Sequence, residues 1–260
     1  MSGGIVANCT IRSNQTLTAS YGGGGIDVLS GVVTVMNCII EYHTVSNYGG
    51  GINVEGCTST KIRNCLIRNN KAQNGGGLHI SVANVSVANC TIVGNYAGTV
   101  GGGINFANFS DSAHTNTIVN CIIFNNTSGS WGLDNLNDTG NPKHYYALGY
   151  CCTTQLSYNI QVDTSGRGNI ANKAPSFINY AGGNYRFNRT SPCFNSGTNQ
   201  TDWMNSVVDL AGYSRVRFGR VDMGAYEWYP RIKVNGVAYE NIRFINGVET
   251  YRINGTQGIQ

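Results

Sequence analysis

Three glycines followed by an aliphatic residue occur four times, 26 residues apart: GGGI at 23–26, GGGI at 49–52, GGGL at 75–78 and GGGI at 101–104. Between them recurs a second string: ANCTIRSN, MNCIIEYH, RNCLIRNN, ANCTIVGN and VNCIIFNN. A fixed period of this length marks a chain of repeated units, none able to bury its own apolar face. Each unit holds three short β-like runs with turns between them; around Cys65 they read STKIR, CLIR and GLHIS.

Strand side chains alternate between two faces, so the pattern assigns an inside and an outside. Cys38 shares a face with Ile40, Cys65 with Ile67 and Cys90 with Ile92. Ile39 and Glu41, or Leu66 and Arg68, point the other way. In the glycine runs Ile26 and Val28, Ile52 and Val54, Leu78 and Ile80, and Ile104 and Phe106 point inward. Val35, Ile62, Val87 and Ile118 stand three residues before a cysteine and complete a third wall. Stacking such units buries one continuous core and pairs the backbone at about 4.8 Å per layer. The expected fold is all-β: a single-stranded, right-handed parallel β-helix. Asn8, Asn37, Asn64, Asn89 and Asn120 fall at one bend, where asparagine tolerates a left-handed backbone and can stack its amide. The glycines supply a second bend. A β-sandwich, the rival architecture, would keep no fixed register and no stacked Asn-Cys.

Composition narrows the function classes. Only 12% of residues are charged, the net charge is +4, and there are 35 glycines and 4 prolines. Lys and Arg form no block, so no nucleic-acid partner is expected. No run of about 18 apolar residues exists to span a bilayer as a helix, and no transmembrane segment is expected. No signal peptide precedes the first repeat, and Met1 reads as a start inside a longer protein or as a very short leader. Of nine cysteines, Cys9, Cys38, Cys65, Cys90 and Cys121 occupy equivalent repeat positions and read as small buried hydrophobes. Cys57, Cys151, Cys152 and Cys193 lie elsewhere and are available to pair, with no zinc-type spacing.

The regular coils are assigned to 1–129, irregular last coils and a C-terminal β-helix segment to 130–229, and a β-hairpin or meander extension to 230–260. YCCTTQLSYNIQ, at 150–161, offers a further rung. In the extension Asn235-Gly236, Asn246-Gly247 and Asn254-Gly255 sit between alternating runs, the strongest short hairpin signal. That extension could cap an open solenoid end or link to a partner.

Before it runs a denser pattern: Pro175, Phe177, Tyr185, Arg186, Ser191, Pro192, Cys193, Asn195 and Gly197, then Asp209, Leu210, Gly212, Arg215 and Gly219, then Val221, Asp222, Gly224, Ala225, Tyr226 and Glu227. With it the chain resembles secreted bacterial right-handed β-helix repeat proteins of the pectin-lyase-like superfamily. Those of the choice-of-anchor type carry a C-terminal SPC…NxG…DLxG…R…VDxGAYE segment. The resemblance covers about 1–229 and implies an extracellular or cell-surface location. It also implies the superfamily's range, from polysaccharide lyases and hydrolases to surface proteins without catalysis.

Stacked outward positions give candidate sites. Asp27, Asn53, His79 and Asn105 form a column of hydrogen-bonding groups that suits a glycan-contacting strip; a solvated sheet face is the plainer alternative. His79 has no Ser or Cys nucleophile at an equivalent outward position. Arg12, Glu41, Arg68 and Val93 form a second column, read as a surface charge ladder worth little. In WGLDNLNDTGN, Asp134, Asn135 and Asp138, with Asn137, could offer oxygen ligands to calcium, the one cofactor considered. Asp209, Arg215, Asp222 and Glu227 read as an ion-pair and turn network fixing the last segment over the final coil. Tyr145, Tyr146, Tyr150 and Tyr158 cluster and could stack on sugars or pack inside. No catalytic residue is assigned, because the coils hold few acids and hydrolysis of a glycosidic bond wants two in reach of it. The expected function is a non-catalytic extracellular module, an adhesin or carbohydrate-binding surface protein engaging a polysaccharide, cell-surface glycan or receptor. The alternatives are a polysaccharide lyase or glycoside hydrolase, and a phage or cell-surface fibre or spike component. Monomer and homotrimer both remain open.

Overall fold

The computed structural model describes residues 3–16, 22–107, 114–130, 132–138, 145–154, 168–199, 203–204, 207–216 and 218–229, with backbone alone at 138 and 145–146. Four short strands at 233–234, 237–238, 244–245 and 248–249 are also placed. Among the described residues there is no helix, and so none long and apolar enough to cross a membrane.

Each turn of the solenoid contributes to four parallel sheets. The first holds Gly3–Ala7, Val32–Met36, Ser59–Arg63, Val85–Ala88, Thr115–Val119 and Tyr145–Gly149. The second holds Thr10–Arg12, Ile39–Glu41, Leu66–Arg68, Thr91–Val93, Ile122–Phe124, Cys152–Thr153 and Ile170–Ala171. The fourth holds Ile26–Val28, Ile52–Glu55, Leu78–Ser81, Ile104–Phe106 and Leu136–Asp138. These match the three expected runs.

The third sheet was not expected. It holds Gln15–Thr16, Thr44–Val45, Lys71–Asn74, Tyr96–Val100 and Thr127–Ser128, with Gly132–Leu133 added antiparallel. Three of its five parallel strands are only two residues long, too short to show alternation, which is why this wall read as turn.

The walls close on one core. Val35, Ile62, Val87 and Ile118 line it from the first sheet, Ile40, Ile67, Ile92 and Ile123 from the second, and Ile52, Leu78, Ile104 and Leu136 from the fourth. Cys38, Cys65, Cys90 and Cys121 stand in one interior file, as the repeat requires. Cys151 joins that file rather than lying apart from it, since the Cys121 N–H donates to its Sγ at 3.4 Å. Cys9, at the first coil, is exposed, and none of the nine cysteines is bonded to another.

Two left-handed columns turn the chain. Asn8, Asn37, Asn64, Asn89 and Asn120 hold φ of 51 to 57° at the bend into the second sheet, and Tyr150 takes the same role at 53°. At the exit from that sheet Ser13, Tyr42, Asn69, Gly94 and Asn125 hold φ of 52 to 64°, a bend the sequence reading missed. The glycine corner works differently. Gly49, Gly75 and Gly101 carry positive φ, and the next glycine has no room for a side chain because the following coil packs against its Cα.

Inside the second bend runs a buried polar file: His43, Asn70, Asn95, Asn126 and Asn135, each 1% exposed or less. Asn95 Oδ1 accepts the Asn70 N–H at 3.0 Å and its side-chain amide at 3.1 Å. The Asn95 amide donates to Ile67 O at 3.0 Å and to Asn126 Oδ1 at 2.9 Å. Asn126 repeats this set with Ile92 O and Asn135 Oδ1. Each amide thus satisfies peptide groups at a corner where the backbone ladder breaks.

The chain from 175 to 229 does not continue the stack. A hairpin of Phe177–Asn179 and Asn184–Phe187 leads into turns that lie on the outer face of the second sheet. Phe187, Cys193 and Met223 pack there on Ile122 and Cys152, and Tyr185 on Leu66 and Val93. Beyond it, Lys233–Val234 pairs antiparallel with Val237–Ala238, and Phe244–Ile245 with Val248–Glu249. The three Asn-Gly pairs themselves lie outside the described residues.

The two asparagine columns predict opposite mutational outcomes. Asn95→Ala strands buried peptide groups and is expected to cost about 3 kcal/mol, several times ~1 kcal/mol per lost bond. Asn125→Gly keeps the left-handed bend and should stay within about 1 kcal/mol of wild type. Urea midpoints at unchanged slope measure both.

Candidate functional site

The four residues of the fourth-sheet column do line up, Asp27 against Asn53, Asn53 against His79 and His79 against Asn105. Asn137 extends the column by one coil. Asp27 is exposed, whereas Asn53, His79 and Asn105 are buried. Asn53 donates to Asp27 Oδ1 at 2.9 Å, and the Asn105 amide donates to His79 Nδ1 at 3.2 Å, which leaves the ring proton on Nε2. Tyr48 stacks on the imidazole with ring centroids 4.5 Å apart. Burial lowers the His79 pKa to about 4, so the ring is neutral near pH 7. A ligand laid along this face meets Asp27, while Asn53 donates to Asp27 and His79 is engaged by Asn105 and Tyr48.

Asp134 and Asn135 are also engaged. Asp134 Oδ2 accepts the Gly101 N–H at 2.6 Å. Asn135 Oδ1 accepts two N–H groups of Asn126, and its amide donates to Thr154 Oγ1 at 3.1 Å. The side chain of Asp138 lies outside the described residues, as does Tyr158; Tyr145 and Tyr146 are described by backbone alone. No group of three His, Cys, Asp or Glu side chains able to hold a metal occurs among the described residues.

The second charged column is not a surface ladder. Glu41 is 5% exposed, because the C-terminal segment covers the second sheet. Arg68 grips it through Nε at 2.6 Å and Nη2 at 2.5 Å, while Arg12 stays in solvent at 3.8 Å. Alternation in the sequence shows which side chains leave the core, but not what then covers them.

The covering segment is held by the network expected of Asp209, Arg215, Asp222 and Glu227. Arg215 is fully buried; its Nη1 lies 3.3 Å from Glu227 Oε1 and its Nη2 donates to Gly224 O at 2.8 Å. Asp222 accepts the Asn195 and Trp228 N–H groups, and Asp209 those of Ala211, Tyr213 and Glu227. Three carboxyls share one guanidinium, so burial drives proton uptake: Glu227 is pushed well up and Asp222 to about 6. The clasp then reads the coils themselves. The Asn64 amide donates to Val208 O and the Asn120 amide to Thr198 O, while the Gly224 N–H donates to Asn120 O and the Ala225 N–H to Thr91 Oγ1.

Where the hairpin meets the second bend a cleft of about 280 Å³ opens, lined by Tyr42, Arg68, Asn69, Tyr180, Tyr185 and the turn at 181–183. The Arg68 guanidinium lies 5.5 Å from the Tyr42 ring centroid and 5.4 Å from that of Tyr185. Tyr180 meets Tyr185 edge-on at 5.7 Å. The sequence pattern singled out none of these as a group, because Tyr42 and Tyr180 are separated by five coils of chain.

The buried groups set opposing pH dependences. His79, with its pKa below the ordinary 6.5, contributes stability that is present above about pH 6.5 and lost as pH falls toward 4. Asp222, raised from 3.8, contributes stability that is present below about pH 4 and lost as pH rises toward 6. The His79→Gln variant should therefore lose less stability on acidification than wild type. The difference is expected to reach the order of 3 kcal/mol between about pH 6.5 and 4, read from urea midpoints across that range.

The right-handed β-helix region family matches residues 2–168. No curated protein and no solved structure matches the chain. The stacked parallel coils, the Asn-Cys bend and this match over more than half the length together place the chain in the right-handed β-helix family.

Proposed function

We propose that this chain is a non-catalytic recognition module that works outside the cell or at its surface and binds a glycan. The observation that carries the reading is the disposition of the described carboxylates. Glycosidic hydrolysis by the common route needs two carboxyl groups facing one bond across a cleft, about 5 to 10 Å apart. Here Glu41 is held by Arg68, Asp134 by a peptide N–H of the preceding coil's corner, and Asp209, Asp222 and Glu227 by the clasp. Asp27 accepts from Asn53, and Glu55, two residues on from Asn53, stands on the same wall of the fourth sheet rather than facing Asp27 across a cleft. The described surface with ligand-like chemistry is instead aromatic and amide-bearing. A rigid solenoid suits display, since its outer side chains are fixed by register rather than by loops.

A glycan array read beside a turnover panel tests this. The expected outcome is saturable glycan binding, with neither new reducing ends nor unsaturated products from pectic, alginate-like and neutral polysaccharides. Turnover of any of them overturns the reading, and so does an array without a single bound glycan.

A further inference from the structure

We infer that the cleft between the second bend and the C-terminal hairpin is a saccharide site that takes one neutral pyranose ring. This rests on the glycan-binding reading above and deepens it. Tyr42 is the first observation. It occupies the left-handed bend at φ 59°, where the equivalent residues are Ser13, Asn69, Gly94 and Asn125. A bulky aromatic is the costly choice in that region, and packing does not repay it, because Tyr42 is 47% exposed. Strain of this kind gathers where a ligand uses the side chain.

The chemistry around Tyr42 selects the ligand. Its ring offers a flat apolar face to the C–H face of a sugar, and Asn69 brings an amide that both donates and accepts. Arg68 gives Nε and Nη2 to Glu41 and directs Nη1 to Gly183 O at 3.4 Å. The Arg68–Glu41 pair is neutral as a unit, so among the described residues that line the cleft no uncompensated cation waits for a uronate or a sulfated sugar. The guanidinium lies over one face of the Tyr42 ring and one of Tyr185, so a quaternary ammonium on the opposite face would set a second cation on the same π-system, whereas an uncharged C–H face would not. The volume, about 280 Å³, lies just under the roughly 300–1,000 Å³ of drug-sized clefts and suits a single ring. The far wall is rigid: the Gly182 N–H donates to Asn179 Oδ1 at 2.8 Å and the Gly183 N–H to Tyr180 O at 3.0 Å. A side chain at Gly183 would run into Arg68 Nη1, so glycine there keeps the cleft open.

Titration calorimetry with methyl glycosides of neutral hexoses and N-acetylhexosamines tests the inference, with methyl glucuronide and choline as controls. Saturable binding of at least one neutral glycoside, roughly millimolar, is expected, with at least tenfold weaker binding of both controls. Tyr42→Asn installs a residue the repeat already uses at this bend, so it should fold and keep its thermal midpoint. It should bind at least tenfold more weakly. Tyr42→Phe should retain binding, and Asn69→Gly, which preserves the bend, should weaken it several-fold. Full binding by a folded Tyr42→Asn variant overturns the site, as does preference for glucuronide or choline or failure of every neutral glycoside. If the array still lights with wild type and Tyr42→Asn alike, the cleft is wrong and the glycan-binding reading stands. An array dark for both removes the two together.

Discussion

Every feature of this protein depends on one constraint: each coil must bend left-handed at the same two places, so that the next coil can meet its peptide groups. The parallel ladder supplies most of those partners but fails at corners, where successive strands leave one sheet for another. The buried file from His43 to Asn135 fills that gap. Its members accept from the neighbouring coil's N–H and donate to a carbonyl of that same coil, as Asn95 does with Asn70 and Ile67. Water cannot reach these groups, so an unmet one carries its full desolvation penalty. His43 shows how strict the position is. Where the file begins it replaces asparagine and still fills the slot, its Nδ1 accepting from Asn14 N–H and its Nε2 contacting Ile11 O at 3.1 Å.

Much of this was legible in the sequence because the features are periodic. The Asn-Cys dipeptide, the glycine triplet and the apolar alternation each recur through the regular coils, and stacking converts a one-dimensional period into a three-dimensional file. The polar file left a signal as well: His43, Asn70, Asn95 and Asn126 each stand five residues after a repeat cysteine. It went unread because a polar residue after a strand resembles any turn. The third sheet left almost none, since Thr44–Val45 is too short to alternate.

The covering of the second sheet could not be read this way. Its contacts join residues far apart in the chain, as Asn64 to Val208 or Ala225 to Thr91, and no period links them. Glu41 therefore looked like a surface charge and is buried, and Arg68 looked like its solvent-side partner and forms the floor of a cleft. The acidic and basic residues of the last segment were legible as a structural network from their crowding alone. What they are fastened to was not.

The clasp has a consequence for how such a chain can lengthen over evolutionary time. Hydrogen bonds fasten it to Asn64, Thr91 and Asn120, in three successive turns. Duplicating a turn among these would displace one anchor from the others by a whole layer, about 4.8 Å, which no hydrogen bond spans. Repeats gained ahead of Asn64 leave all three anchors where they are. Growth and shrinkage in this lineage should therefore fall upstream of the fastened turns, which act as a fixed ruler at the end of an extendable rod.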